Sequence, residues 1–424
     1  MTAQKPEKLR FLSLQPLEGL RHLALEQWNT ALRKAGHEVE ERALRHPNVP
    51  PEETEAALAA WIARHRPAAL FTASALSFTR PGFFSRPEIR EVPTAAFWFD
   101  DPYRPVQRWA GSPGFLDALR LPQVRHFVWD GYWRAWLADR HGVPSLPVHL
   151  AADPEEFHPL PPHPGEENLA VFIGTLADPL HLAGLERRLP PVLSKLARQL
   201  RAALAEAPGL GGGNPFSLLE QLAAALPERL RAEAAGLEAR DPDAVLRLRG
   251  LAWMLGKNEV RLRMLRAARQ VAPVLLLCGN VENTQADEAA LRSLLPGGPH
   301  PLHVEDTAAW NGRGLAPLYA RGAVHLQATD PQSVDGGIPF RVFQTTACAR
   351  PLLTDVKPEL LECFAEGTEI ACYRSPEEFQ ARLARLLAAP RERETLARAG
   401  HARFRAAHTW NHRVEQVLPA LGIF

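Results

Sequence analysis

Cysteine is scarce in this chain: four in 424 residues, Cys278, Cys348, Cys363 and Cys372. Each sits in an apolar setting without metal-ligand spacing or a nearby histidine set, so buried reduced thiols are expected rather than a disulfide framework or a metal site. Net charge is equally scarce, since 49 basic against 48 acidic residues leave +1. No long-range field then favours nucleic acid or an anionic membrane as a partner. Also missing is any apolar run of the ~18 residues needed to cross a bilayer, and the opening MTAQKPEKLR has no apolar signal-type core. A cytoplasmic location is expected, with peripheral membrane attachment left open. What the chain does hold, 46% hydrophobic and 23% charged residues, is the composition of a packed globular protein, and its length suggests two to three domains.

Short apolar runs alternate with amphipathic stretches through the first 150 residues. Residues 9–14 read as a strand; Leu20, Leu23, Ala24, Trp28, Ala31 and Leu32 recur at helical spacing, and Gly36 ends that helix. The pattern repeats through 39–43, 51–65 and 68–73, and further strands are expected at 94–99, 124–129 and 146–150. Such repetition predicts an α/β fold with a parallel sheet. The strand ending at Phe99 runs into Asp100, Asp101, Pro102 and Tyr103, which puts two carboxylates at the ligand edge of that sheet. Asp before Pro also favours a turn and caps nearby N–H groups, so the pair reads equally as a turn and as a functional site. Trp129, Trp133 and Trp136 form an aromatic face expected to pack inward. Proline and glycine crowd residues 159–165, which marks a linker.

A second series opens with a strand at 169–173 and then Gly174-Thr175, where a glycine lets a ligand approach the backbone. From 179 to about 256 the composition shifts to Leu, Ala, Arg and Glu, which reads as several amphipathic helices. A packed insertion is expected there, with a lid, a partner surface or a dimer contact as further uses. Residues 257–270 read as a basic helix, followed by a strand at 274–278, Gly279-Asn280, strands at 301–304 and 323–327, and between these the turn holding Arg313. The stretch 323–373 is strand, Gly-rich loop, helix, strand. Its helix starts near Ile338, where unpaired N–H groups offer positive potential to an anion, and Arg341 in the first turns adds a guanidinium. A diphosphate seat is the functional expectation for a stretch that otherwise reads as an ordinary βαβ unit.

The order Asp335-Gly336-Gly337, then Arg341, Phe343 and Gln344, then Ala347, Pro351 to Thr354, and Gly367 to Ile370 with Tyr373, resembles the C-terminal module of GT-B glycosyltransferases, above all the CgeB-like (spore-maturation) branch. Ala31 to Val39 is similar to the first βαβ of such enzymes. Asp153, Phe157 and Pro159 match the phrase with which they leave the N-terminal domain, and His408, Thr409, Trp410 and Arg413 fill a terminal His-Thr-Tyr-x-x-Arg run. The resemblance omits only residues 178–256. It implies two Rossmann-like lobes, an acceptor domain at 1–159 and a nucleotide-sugar domain at 160–405, with 178–256 a helical insertion in the C-terminal lobe. Residues 406–424 are expected to form a helix that crosses back to the first domain.

The resemblance further implies transfer of a sugar from a nucleoside-diphosphate sugar to an acceptor glycan, protein or small molecule, without a metal or other cofactor. It places Gly174, Thr175, Lys257, Gly279, Asn280, Arg313, Asp335, Gly336, Gly337, Ile338, Gln344 and Thr345 around the donor. Arg341 falls on the departing diphosphate, with Lys257 and Arg313 as secondary candidates, and Asp100 or Asp101 on the acceptor hydroxyl. Gln344 departs from the pattern, standing where relatives carry a Glu that accepts both ribose hydroxyls. An amide oxygen accepts one such bond and its NH₂ donates to the other oxygen. The acidic position of retaining family 4 enzymes falls at Gly336, beside Asp335. Two other classes stay open: a non-catalytic sugar-nucleotide-binding or scaffold protein, and a UDP-sugar epimerase drawing on His22, His149 and His181. Neither nucleic acid nor a transmembrane segment is expected, and the insertion offers a surface for self-association.

Overall fold

The computed structural model describes residues 8–18, 22–73, 75–207, 209–210, 214–278, 287–307, 314–334 and 336–423. They divide into two compact units, Met1–Asp153 with Ala407–Phe424, and Pro154–Ala406.

In the first unit β1 (Arg10–Gln15), β2 (Glu38–Ala43), β3 (Ala69–Ala73), β4 (Thr94–Trp98), β5 (Val124–Val128) and β6 (Ser145–Pro147) form one parallel sheet in the order β2-β1-β3-β4-β5-β6. β3 and β4 are buried at every position, as strands covered on both faces must be, and their sequences ALFTA and TAAFW carry no charge. β2 lies at the edge and reads EVEERA, charges that solvate an open edge and discourage further pairing. Trp28 from the Leu23–Lys34 helix packs on Phe71 and Phe97 at 5.1 and 5.0 Å between ring centroids.

The final helix, Trp410–Ala420, belongs to this unit. Trp410 Nε1 donates to Gln27 Oε1 at 2.6 Å, and Arg413 donates to the carbonyls of His149 and Leu150 at 3.0 and 3.1 Å. Thr409 and His412 close the helix start as a reciprocal cap. The terminal run singled out in the sequence is thus a docking device, with a buried guanidinium satisfying backbone carbonyls.

The second unit holds β7 (Ala170–Ile173), β8 (Val274–Cys278), β9 (Leu302–Asp306), β10 (Val324–Gln327), β11 (Leu352–Asp355) and β12 (Ala371–Tyr373), again all parallel, in the order β12-β11-β10-β7-β8-β9. The chain leaves β7 in one direction for β8 and β9, then returns to β7's other side with β10. That reversal makes a switch point at the carboxyl ends of β7 and β10, where open α/β sheets leave room for a ligand. Residues 159–165 run with this unit: Arg350 donates to the Leu160 carbonyl at 2.9 Å, and Phe157 packs edge-on against Tyr319.

Among the described residues, the crossover between β7 and β8 carries five helices, Pro179–Arg187, Pro191–Glu206, Pro215–Ala224, Glu228–Arg240 and Pro242–Ala268. They enclose a core of their own, including Leu193, Leu196, Leu200, Leu248, Leu251 and Leu255. The last of them does not begin near Lys257, as the composition implied, but runs unbroken for 27 residues into the main core at Met264, Leu265 and Ala268. Gly256 sits mid-helix because Pro215 presses there: a Cβ at 256 would lie 2.7 Å from the proline ring. Arg263 ties the same helix to the end of its neighbour, donating to the carbonyls of Ala205 and Gly209 at 2.9 and 2.8 Å.

Candidate functional site

At the switch point of the second sheet, Asn258, Arg261 and Trp253 of the long Pro242–Ala268 helix reach the loops that leave β7 and β10. Asn258 pins the first loop by accepting from Ala177 N and donating to Ala177 O, both at 2.9 Å. Arg261 donates to Thr175 O at 2.6 Å. Gly174 lets this loop fold close, since a Cβ there would lie 2.5 Å from the Phe172 ring. Lys257 is 7% exposed and has its ammonium 4.2 Å over the Trp253 ring.

From the other loop, Asp330 Oδ1 accepts from Trp253 Nε1 at 2.6 Å and from Gln332 N at 3.1 Å, while Oδ2 lies 3.8 Å from Arg261 Nη2. Burial, then the charge of Arg261, pulls Lys257 down to about 8, with Asp330 opposing. Burial also pulls Arg261 down to about 10, with Asp330 opposing and Arg341 adding to the fall. Lys257 and Arg261 therefore share the field of the Asp330 carboxylate, and Arg341 adds its charge against Arg261. Such an excess of buried cations is relieved by an anion.

Arg341 is half-buried in the first turn of the Phe340–Ala347 helix, whose start has no side-chain cap. Tyr319 joins it to Gln344: the phenol donates to Gln344 Oε1 at 2.6 Å and is hydrogen-bonded by Arg341. Burial raises the Tyr319 pKa far above its ordinary value, so the hydroxyl stays protonated. Gln344 and Thr345 are 4% and 2% exposed, and the amide oxygen expected at a ribose hydroxyl meets a protein hydroxyl. Gly336 has φ of +147°, and a Cβ there would lie 3.0 Å from Glu359 N, so the approach to this helix needs glycine. Gly337 and Ile338 are buried beside it. Gly279, Asn280, Arg313 and Asp335 lie outside the described residues.

Asp100 and Asp101, at the carboxyl end of β4 in the first unit, have different surroundings. Asp101 is 5% exposed and accepts from Tyr103 N at 2.7 Å, the turn cap that Asp before Pro favours. Asp100 is exposed, and its charge acts on His22, which precedes the Leu23–Lys34 helix. Burial lowers the His22 pKa, with Asp100 and then Glu26 pulling the other way. Its Nδ1 is buried without a hydrogen-bond partner among the described residues, and its ring lies 5.8 Å from Phe99. His149 is instead drawn down to about 4 by burial and by Arg413 and Arg134, and His181 stands in the first turn of the Pro179–Arg187 helix. Of the aromatic face, Trp133 is fully buried and Trp136 packs edge-on against it at 5.9 Å.

Sequence reasoning missed Trp253, Arg261, Tyr319 and Asp330. A signal for the first two was present: Trp253, Lys257 and Arg261 stand at i, i+4 and i+8 on one helix. Asp330 and Tyr319 had none, because only the folding of separate loops and helices brings them in. Among the described residues, no three His, Cys, Asp or Glu side chains gather as a metal site, and no helix is long and apolar enough to cross a membrane.

A family model described as glycosyl transferase-like matches residues 256–419. Curated proteins give no match in sequence. Among solved structures, sucrose-phosphate synthase from Thermosynechococcus elongatus aligns over 97% of this chain and 99% of its own, with a TM-score of 0.55 at 14% identity. A glycosyltransferase from Rickettsia africae covers 98% of each chain, with a TM-score of 0.53 at 9% identity. Anabaena HepE, solved in complex with UDP and glucose, aligns over 97% of this chain and 100% of its own, with a TM-score of 0.54 at 10% identity. Two parallel six-stranded sheets flanked by helices constitute the α/β fold of the GT-B glycosyltransferases.

Proposed function

We propose that this protein is a cytoplasmic, metal-independent glycosyltransferase of the CgeB-like branch, moving a sugar from a nucleoside-diphosphate sugar to an acceptor hydroxyl. The observation that carries this reading is the group of Lys257 and Arg261 beside Asp330, with Arg341 acting on Arg261, at the switch point of the second sheet. As the bond between the sugar and the diphosphate breaks, negative charge collects on the leaving oxygen. Fixed guanidinium and ammonium groups lower that barrier, each well-placed donor by roughly 3 to 4 kcal/mol. HepE's complexes with UDP and with UDP-glucose make UDP-glucose the first donor to try.

On the acceptor side, His22 takes the hydroxyl proton as the new glycosidic bond forms. Burial holds its ring neutral, the form a general base needs, and the Asp100 charge stabilises the imidazolium that results. Asp101, committed to its turn, serves the backbone.

A panel of UDP, GDP, ADP and TDP with their sugars tests the donor reading by thermal shift. At least one should raise the melting temperature, and Arg341→Ala should remove most of the rise; a flat response across the panel overturns the reading. A second reading, a sugar-nucleotide binder without turnover, draws on the bond between Tyr319 and Gln344, which occupies the oxygen expected at the ribose. Slow hydrolysis of the bound donor, assayed without acceptor, separates the two.

A further inference from the structure

We propose that Trp253, supplied by the helical insertion, is a positioning residue of the anion seat: its indole N–H holds Asp330 away from Lys257 and so reserves the lysine's charge for the incoming anion. The inference rests on reading this cluster as the seat of a diphosphate. Its geometry is a competition for one carboxylate. Oδ1 of Asp330 is taken by Trp253 Nε1 at 2.6 Å and Gln332 N at 3.1 Å, and Oδ2 faces Arg261 at 3.8 Å. Lys257 meets the face of the same indole, 4.2 Å from its ammonium, and among the described residues no carboxylate forms an ion pair with it.

The charged groups acting on Lys257 are Arg261 from its own helix and Asp330 from the loop after β10; Arg341, from the Phe340–Ala347 helix, acts in turn on Arg261. Among the described residues, Asp330 is therefore the carboxylate whose release would neutralise the lysine. One side chain performs both tasks, edge to the acid and face to the base.

The insertion makes this arrangement rigid. Leu251, Ala252 and Leu255, around Trp253 in the same helix, belong to the insertion's own core, and Pro215 abuts the helix at Gly256, next to Lys257. The five-helix crossover thereby acts on the seat through the orientation of Trp253. A lysine held unpaired in this way also accounts for the direction of its shift, in which burial and Arg261 outweigh Asp330.

The chain has only six lysines, so selective ¹³Cε-lysine labelling should resolve Lys257 by NMR in the full-length protein. Trp253→Phe keeps an aromatic face and removes the N–H. In that variant Lys257 should titrate about one unit or more higher than in the wild type, because Asp330 turns to it. In the Asp330→Asn background the same change should leave the titration unmoved.

Inorganic pyrophosphate serves as the anion probe. It should raise the Lys257 titration in the wild type, bind about tenfold more weakly to Trp253→Phe, and bind Trp253→Phe/Asp330→Asn as well as it binds Asp330→Asn. An unchanged Lys257 titration in Trp253→Phe, an equal shift with and without Asp330, or no pyrophosphate binding to the wild type would each overturn the inference. Pyrophosphate binding of the expected pattern, with no response to any nucleoside diphosphate, upholds the inference and sinks the donor reading instead.

Discussion

The two units both build parallel six-stranded sheets and equip the carboxyl ends of their strands oppositely. At the first, an imidazole stands among carboxylates, His22 with Asp100 and Glu26. At the second, Lys257 and Arg261 share Asp330, and Arg341 adds its charge to theirs. One edge suits a proton to be taken, the other an anion to be held. The difference shows how differently a common scaffold can be equipped: strand order decides where a ligand can sit, and the few side chains on loops and helix starts decide which charge it carries.

The comparison breaks most sharply if the two edges prove interchangeable. His22→Ala should lower turnover by about 10²- to 10⁴-fold while leaving the stabilisation by UDP intact, measured as kcat beside a thermal shift. Lost nucleotide binding in that variant would mean that the first edge is not confined to proton transfer. Arg341→Ala should cost about 10²- to 10³-fold in kcat and should remove the nucleotide's thermal shift as well; a normal shift would take Arg341 out of the seat.

A smaller effect concerns what the two sheets share. Each buries a neutral histidine, His126 with Nδ1 accepting from Trp98 Nε1 at 2.9 Å, and His325 with Nε2 at 3.1 Å from the Tyr319 carbonyl. Burial pulls them to about 4 and about 3. An unfolded histidine binds its proton near pH 6.5, so between that pH and the folded values the unfolded state holds more protons and stability falls as pH falls. Chemical denaturation at pH 7 and pH 4.5 should differ by about 2 to 3 kcal/mol per histidine, and His126→Gln should remove part of the difference. Equal stability at both pH values would contradict neutral burial.

The finest distinction separates neighbours. Asp101→Asn should cost about 1 kcal/mol of stability through its turn with little loss of turnover. Asp100→Asn should do the reverse, lowering turnover about tenfold and shifting the pH profile downward, since the charge that raises the His22 pKa is gone. Matching profiles for the two variants would merge their roles.

Much of the scaffold was legible because its signals are local. Uncharged runs such as ALFTA and TAAFW read as covered strands, and the sequence Asp335-Gly336-Gly337 ahead of Arg341 announces a helix start at a sheet edge. The long helix was misread at its beginning because the composition changes near residue 256 while the helix, Pro242–Ala268, runs straight through, with Pro215 packed against Gly256. Lys257 was undervalued for a related reason: a lysine in a basic, amphipathic stretch reads as solvated surface, and only packing against the insertion buries it.

By itself, then, the sequence determined the alternation of strands and helices, the two series of parallel strands and the placement of Arg341 at a helix start. Each depends on residues a few positions apart. The meeting of Trp253, Lys257, Arg261 and Asp330 was decided by tertiary structure alone. Residues some seventy positions apart share a site because β10 returns beside β7 after the chain has gone the other way, and a reversal of strand order has no local signature.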